Sequence, residues 1–477
     1  MLMNNRDSPK EECGIFGIYA PGEDVAKITF FGLFTLQHRG QESAGIGVLT
    51  NTKYALYKKM GLVNQIFTES RIGKLKGSIA VGHNRYSTTG SSHKKNAGPF
   101  AARKKFQTYI VAHNGNIVNT KKLRENLEEK GIRFTSTTDS EVVAQVLAHS
   151  RGKETHQKVI SMMYKIHGAY SLVIGTKKEL IGVKDPLGIR PLCLGKMNGR
   201  HCLASESCAF SAIGAEYIRE LKPGEVVIIN KDGLTSHQFS NKQASFCIFE
   251  YIYLSRPDSL TSGGDSVYKV REQLGRLLAR QHPSDADVVV PVPDSSIPAA
   301  IGYADESKIP YKEGLIKNRY IARTFINPDQ RMRELGVKMK LNPLRDFIEG
   351  KRVVLVDDSI VRGNTSLKIV RLLKEFGARQ VHVRITCPPL RHPCFYGVDM
   401  PTKEEFIAHN KSVEEIRKLI EADSLGYLSL GNMLKAAGAR EGNGFCSACF
   451  TGKYPLKGEY LKTLNKDILE EAETRRW

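Results

Sequence analysis

The chain has 477 residues, enough for two or three domains with full cores, and its 71 basic against 50 acidic residues give a formal charge of +21. The basic residues are dispersed rather than gathered into a stripe, which argues against nucleic acid as a partner and for small anionic substrates. The opening residues 1–12 lack the apolar core of a signal peptide and no later apolar run reaches membrane-spanning length, so a soluble, cytoplasmic protein with no membrane partner is expected.

The charged leader runs directly into Glu12, Cys13 and the apolar segment Gly14 to Ile18, which puts a cysteine at the start of a strand. Taken alone, Cys13 is an ordinary strand cysteine. Helices are predicted near 24–37 and 139–150, with short apolar strands at 79–82, 109–112, 171–174 and 225–229. This half reads as packed sheets with flanking helices. Nine cysteines without a secretory context do not indicate a disulfide framework, and Cys193, Cys202, Cys208 and Cys387 lie among apolar neighbours as buried small hydrophobes. The polar, turn-rich stretch 231–245 marks a boundary. Beyond it, apolar strands at 288–291, 353–356 and 380–385 alternate with helical stretches, the order of a parallel α/β sheet.

The most informative segment is 352–366. Its strand ends in two adjacent carboxylates, Asp357 and Asp358, and a turn rich in Gly and hydroxyls follows before Leu367, Val370, Leu372 and Leu373 resume at helical spacing. At such a junction the N–H groups of Arg362, Gly363, Asn364 and Thr365 and the hydroxyls of Ser359, Thr365 and Ser366 converge on an anion. Two neighbouring carboxylates repel one another unless a cation or hydroxyl donors compensate them, so they suit ribose hydroxyls or a magnesium ion. One turn would thus hold both ends of a phosphorylated ribose. Cys247, Cys394 and the pair Cys446 and Cys449 remain, and a single CxxC leaves redox dithiol, zinc and cluster ligation open.

Residues 352–366 resemble the phosphoribosyl pyrophosphate (PRPP) loop of the type I phosphoribosyltransferases, and the resemblance extends to 291–296 and 317–326. It implies that Ser359, Arg362, Gly363, Asn364, Thr365 and Ser366 bind PRPP and that Ser295 joins Asp357 and Asp358 around Mg2+. It also implies that Lys317, Arg319 and Arg323 lie in a basic loop closing over pyrophosphate. In the first half, 12–18, 36–45, 82–90 and 112–116 resemble the class II glutamine amidotransferase domain, an N-terminal-nucleophile hydrolase. That resemblance implies that residues 1–12 are a propeptide and that Cys13, once it is the first residue, attacks the glutamine amide with its own α-amino group relaying protons. Asn114 and Gly115 would form the oxyanion hole, Arg85 would hold the glutamine α-carboxylate and Asp139 its α-amino group. Arg39 would support the site wall or serve as a structural salt bridge. His38, His83, His93 and His113 would be structural, because the terminal amine removes the need for an imidazole base.

The surroundings of Cys247, Cys394, Cys446 and Cys449 resemble those in the propeptide-bearing branch of the glutamine PRPP amidotransferases, which implies a [4Fe-4S] cluster on four thiolates, with zinc on the same set as the alternative. Over the whole chain the resemblance implies an αββα sandwich across 13–235 followed by a parallel α/β phosphoribosyltransferase domain across 245–477. The implied reaction hydrolyses glutamine and transfers the ammonia to C1 of PRPP, giving 5-phosphoribosylamine, glutamate and pyrophosphate for purine synthesis. Purine nucleotides as feedback inhibitors and a homotetramer are implied as well. Two alternatives compete: an amidotransferase with another acceptor would lack the 352–366 loop, and a PRPP-sensing DNA-binding regulator would have no use for Cys13, Arg85 and Asn114.

Overall fold

The computed structural model of the chain describes residues 12–87, 90–318, 341–400, 402–439, 444–456 and 469. Two antiparallel sheets form the first half. The first has seven strands, in the order 216–220, 193–197, 200–204, 14–19, 79–85, 43–49 and 54–60. The second has six, in the order 233–238, 225–230, 180–184, 168–175, 107–117 and 100–104. The sheets face each other through Ile15, Val81 and Leu203 on one side and Ile110, Val173 and Val227 on the other. Helix Val25–Thr35 covers the outer face of the first sheet and helices Asp139–Ala148 and Thr155–Met163 that of the second. The four layers are those of the expected αββα sandwich.

Within the polar stretch 231–245, Gly233–Gln238 forms an edge strand against Glu225–Asn230, so a domain limit at 235 would cut a strand. The strand reads as linker because only one of its long sides is paired and its side chains are largely wet.

In the second half, Val288–Pro291, Arg352–Asp357, Gln380–Ile385 and Ser424–Tyr427 form a four-stranded, wholly parallel sheet in that order. The two strands Val288–Pro291 and Arg352–Asp357 are apolar without alternation because helices such as Val267–Gln281, Ile297–Ser307 and Asn364–Glu375 cover the sheet, whereas Gln380–Ile385 alternates polar and apolar residues. The core of this half takes in Ala169, Leu187 and Ile189 of the first half. The halves are also joined by hydrogen bonds: Ser245 and Cys247 donate backbone hydrogen bonds to Leu187 and Ile189 while their own strand pairs in parallel with Gly444–Cys446. Among the described residues, no helix is long and apolar enough to cross a membrane.

Candidate active sites

Cys13 precedes the central strand of the first sheet and is buried, with its thiol donating to the Tyr86 carbonyl at 3.4 Å. Burial pushes that thiol up to about 11, so in the chain with its leader attached Cys13 is a protonated, weak nucleophile near neutral pH. Arg85, on the adjacent strand Ile79–Arg85, donates to the Gly90 carbonyl at 3.1 Å and the Ser91 carbonyl at 3.3 Å and stands 3.5 Å from Glu42. Asp139 opens the helix capped by Thr138 and accepts from the Ile117 N–H at 3.1 Å. Burial alone would raise its pKa, but His113 above all, with the Ile117 N–H and Arg85, holds it below the ordinary carboxylate range. Arg85 and Asp139 both act electrostatically on Cys13, so a cation and an anion suited to an amino-acid zwitterion flank the thiol.

Asn114 lies on the second sheet, fully buried, and neither atom of its side-chain amide has a hydrogen-bond partner among the described residues. An orphaned buried amide is costly, which is reasonable where an incoming oxyanion will satisfy it. Gly115 beside it has φ +141°, and a Cβ there would run into the Ala169 carbonyl, so only glycine fits. Of the four histidines, His113 is not remote from the site: its Nδ1 is 3.2 Å from Ser140 and 3.6 Å from Asp139. His83 is buried and held down to about 3 by desolvation, hence neutral, while His93 accepts from the Lys95 N–H at an exposed helical turn.

At the second site, Asp357 ends its strand and Asp358 follows with one oxygen accepting from Ser295 at 2.6 Å and the other from Ser359 at 2.6 Å. Ser296, next to Ser295 and not among the residues expected at the metal, donates to Asp357 at 3.2 Å. Burial, together with the neighbouring charge of Asp358, holds Asp357 well above the ordinary range, and burial raises Asp358. The helix Asn364–Glu375 starts at Gly363, whose φ of +83° and close approach to Ile407 require glycine. Arg362 pairs with Glu405 at 2.7 Å, and Lys317 pairs with Asp294 at 2.6 Å. Arg319 and Arg323 lie outside the described residues.

A cavity of about 420 Å³ is lined by Asp357, Asp358, Ser359, Gly363, Thr365 and Ser366 together with His38, Arg39 and Glu12. It also exposes Arg271, a buried arginine that desolvation brings down to about 10, and whose guanidinium donates to the Tyr251 and Ser255 carbonyls at 2.8 and 2.7 Å. Its signal in the sequence is a lone cation between Val270 and Leu274 on the apolar side of a helix. Arg39 donates to Glu206 at 2.6 Å, to Glu250 at 2.9 and 3.0 Å and to the Cys13 carbonyl at 3.2 Å. Burial would lower its pKa, yet Glu250 and Glu206 outweigh that and keep it charged.

Cys247 and Cys446 are register partners on the short parallel pair, and Cys394 accepts from the Tyr396 N–H at 3.4 Å. The thiols of Cys247, Cys394, Cys446 and Cys449 are near enough to act on one another electrostatically, all four are free, and Arg190 adds a positive charge beside three of them. Four unbridged thiols and an adjacent cation fit a thiolate-bound group. Among the described residues no three His, Cys, Asp or Glu side chains converge on a single ion.

Comparison with known proteins agrees with this geometry. A glutamine amidotransferase domain family matches residues 83–212 and a phosphoribosyl transferase domain family matches 260–417. The chain is 52% identical to the amidophosphoribosyltransferase of Synechocystis over 95% of its own length and 92% of that protein's. It is 48% identical to that of Bacillus subtilis over 98% of each. A solved structure described as the allosteric regulatory enzyme of purine biosynthesis superposes with a TM-score of 0.91 at 46% identity, covering 96% of this chain and 99% of the other. A second, the glutamine PRPP amidotransferase from B. subtilis complexed with ADP and GMP, gives 0.88 at 47% identity over 93% and 98%.

The two raised carboxylates make a prediction about stability. A carboxyl group whose folded pKa lies above its unfolded value contributes most below the unfolded value, and that contribution is lost as pH rises through the folded one. Asp357→Asn should therefore raise the unfolding temperature of the ligand-free protein near neutral pH, with the advantage over wild type shrinking as pH falls and gone below about pH 4. Thermal unfolding of both proteins across that range measures it; an equal or lower midpoint for the variant at neutral pH would mean the carboxylates are not in repulsion.

Proposed function

The chain belongs to the amidophosphoribosyltransferases, glutamine-dependent enzymes that aminate PRPP in purine biosynthesis, and from that membership we propose which residues carry each half of the reaction. The observation that supports the division most directly is the cavity reaching from Arg39 and Glu12, the residue before Cys13, to the loop of Asp357 and Ser366. Residues 1–12 are a propeptide in this reading, and Cys13 is the mature N-terminus.

The freed α-amino group of Cys13, with an ordinary pKa of about 7.7 to 8.0, takes the thiol proton as Sγ attacks the glutamine amide carbon. Asn114 Nδ2 and the Gly115 N–H receive the oxyanion, Arg85 holds the α-carboxylate and Asp139 the α-ammonium. The same amine then protonates the departing ammonia, and water hydrolyses the thioester to glutamate. Ammonia moves through the cavity and attacks C1 of PRPP as pyrophosphate leaves. That departure places oxocarbenium-like charge on the ribose, so holding the leaving group matters more than a strong base. Ser359, Arg362, Gly363, Asn364, Thr365 and Ser366 seat PRPP, and Lys317 and Arg319 with Arg271 supply positive charge toward the pyrophosphate. Magnesium, when bound at Asp357 and Asp358 with Ser295, would neutralise pyrophosphate charge.

Cys247, Cys394, Cys446 and Cys449 hold a [4Fe-4S] cluster in the same reading, which ties the start of the second half to its later segments and supplies fold energy rather than redox chemistry. Purine nucleotides act as feedback inhibitors and the assembly is a homotetramer; the relative from B. subtilis complexed with ADP and GMP supports the first of these.

Cys13→Ala is expected to abolish glutamine-dependent synthesis and to leave ammonia-dependent synthesis near wild type, whereas Asp358→Asn should depress both, by about a hundredfold or more. Assays of both variants with each nitrogen donor test the division; loss of only the glutamine reaction in Asp358→Asn would place that residue in the wrong half. Protein purified without oxygen should carry about four irons per chain and lose its unfolding cooperativity when the iron is stripped. Metal analysis returning zinc without iron would replace the cluster by a zinc site and leave the catalytic assignment intact.

A further inference from the structure

The side chain of Glu12 is buried, and two arginines from distant parts of the chain grip its carboxylate. Arg190 Nη1 donates to one oxygen and Arg39 Nη2 donates to the other at 3.3 Å. Arg39 also donates through Nε to the Cys13 carbonyl at 3.2 Å. One guanidinium thereby holds the chain on both sides of the Glu12–Cys13 peptide bond. A buried carboxylate persists only where it is paired, and these two arginines already have Glu206 and Glu250 as partners. With Glu12 present the cluster sets three carboxylates against two guanidinium groups and the His38 imidazole, whose Nε2 stands 2.7 Å from Glu206. The mature enzyme has no Glu12, so this accommodation serves the precursor alone.

We propose that Arg39 and Arg190 are a recognition site for an acidic side chain immediately before the scissile bond, positioning the Glu12–Cys13 peptide for cleavage by Cys13 itself. The proposal rests on the reading of Cys13 as the mature N-terminus. In the step so positioned, Cys13 Sγ bonds to the Glu12 carbonyl carbon, the C–N bond breaks, and the thiol proton passes to the departing nitrogen, which becomes the free amine. Water then cleaves the resulting thioester, returning the thiol and releasing residues 1–12 with a terminal carboxylate. Nothing is oxidised or reduced. Release removes one wall of the cavity that leads toward the PRPP loop.

Glu12 is discarded on maturation, so every cleaved Glu12 variant is chemically identical to mature wild type and any difference belongs to the cleavage step. Full-length wild type, Glu12→Gln, Glu12→Ala and Glu12→Asp chains are expressed anaerobically, and leader loss is followed by intact mass with time. Ammonia-dependent synthesis, which reads the second site, confirms that each precursor is folded. Glu12→Gln and Glu12→Ala should lose the leader about tenfold more slowly or worse, with Glu12→Asp recovering much of the rate. Cleavage of Glu12→Gln and Glu12→Ala at the wild-type rate overturns the recognition site while leaving Cys13 as the mature terminus. A wild-type chain that uses glutamine with residues 1–12 still attached overturns both.

Discussion

Arg39 is the point on which the two halves of the molecule depend. Its guanidinium is buried against Glu206 from the first half and Glu250 from the second, while its Nε reaches the carbonyl of Cys13. Placing a guanidinium in such a dry position is favourable only because both carboxylates are there to meet it. The interaction therefore does more than add stability. It fixes where the second half sits relative to the strand behind Cys13, and so fixes which ends of the two sites share a cavity.

Other contacts reinforce that placement close to the glutamine site. Asn116, two residues beyond Asn114, donates to the Phe395 carbonyl at 3.0 Å, and Arg190 donates to the Tyr396 carbonyl at 2.9 Å. Gly397 packs so closely on Gly115 that a Cβ would stand 3.2 Å from its backbone. The segment carrying Cys394 thus leans on the strand proposed to form the oxyanion hole. A group bound at the four thiols would brace that segment.

The parts of the site that were legible in the sequence are those whose chemistry is local. Asp357, Asp358 and the turn to Ser366 are contiguous, so strand, carboxylates, Gly and hydroxyls could be read as one device, and the structure brings Ser295 onto Asp358 from 63 positions away. The layers of the first half followed from apolar runs of strand length. The ion cluster was not legible, because Arg39 is separated from Glu12 by 27 positions and from Glu250 by 211, and no pattern in the chain marks such partners. Arg271 was missed because a single arginine in a helix is ordinarily a solvated side chain until the packing around it is known. The strand 233–238 is hidden in the sequence because an edge strand carries the composition of a loop.

The central claim is that nitrogen released at Cys13 reaches C1 of PRPP inside the protein, along the cavity bounded by Arg39 and the PRPP loop. Mature enzyme supplied with glutamine carrying a heavy amide nitrogen, in a medium holding a large excess of light ammonium, tests it most directly. Mass analysis of the 5-phosphoribosylamine, trapped as it forms, should find the heavy nitrogen undiluted at ammonium concentrations too low to support synthesis alone. Dilution of the label in proportion to the ammonium in the medium would mean that ammonia leaves the protein between its two sites.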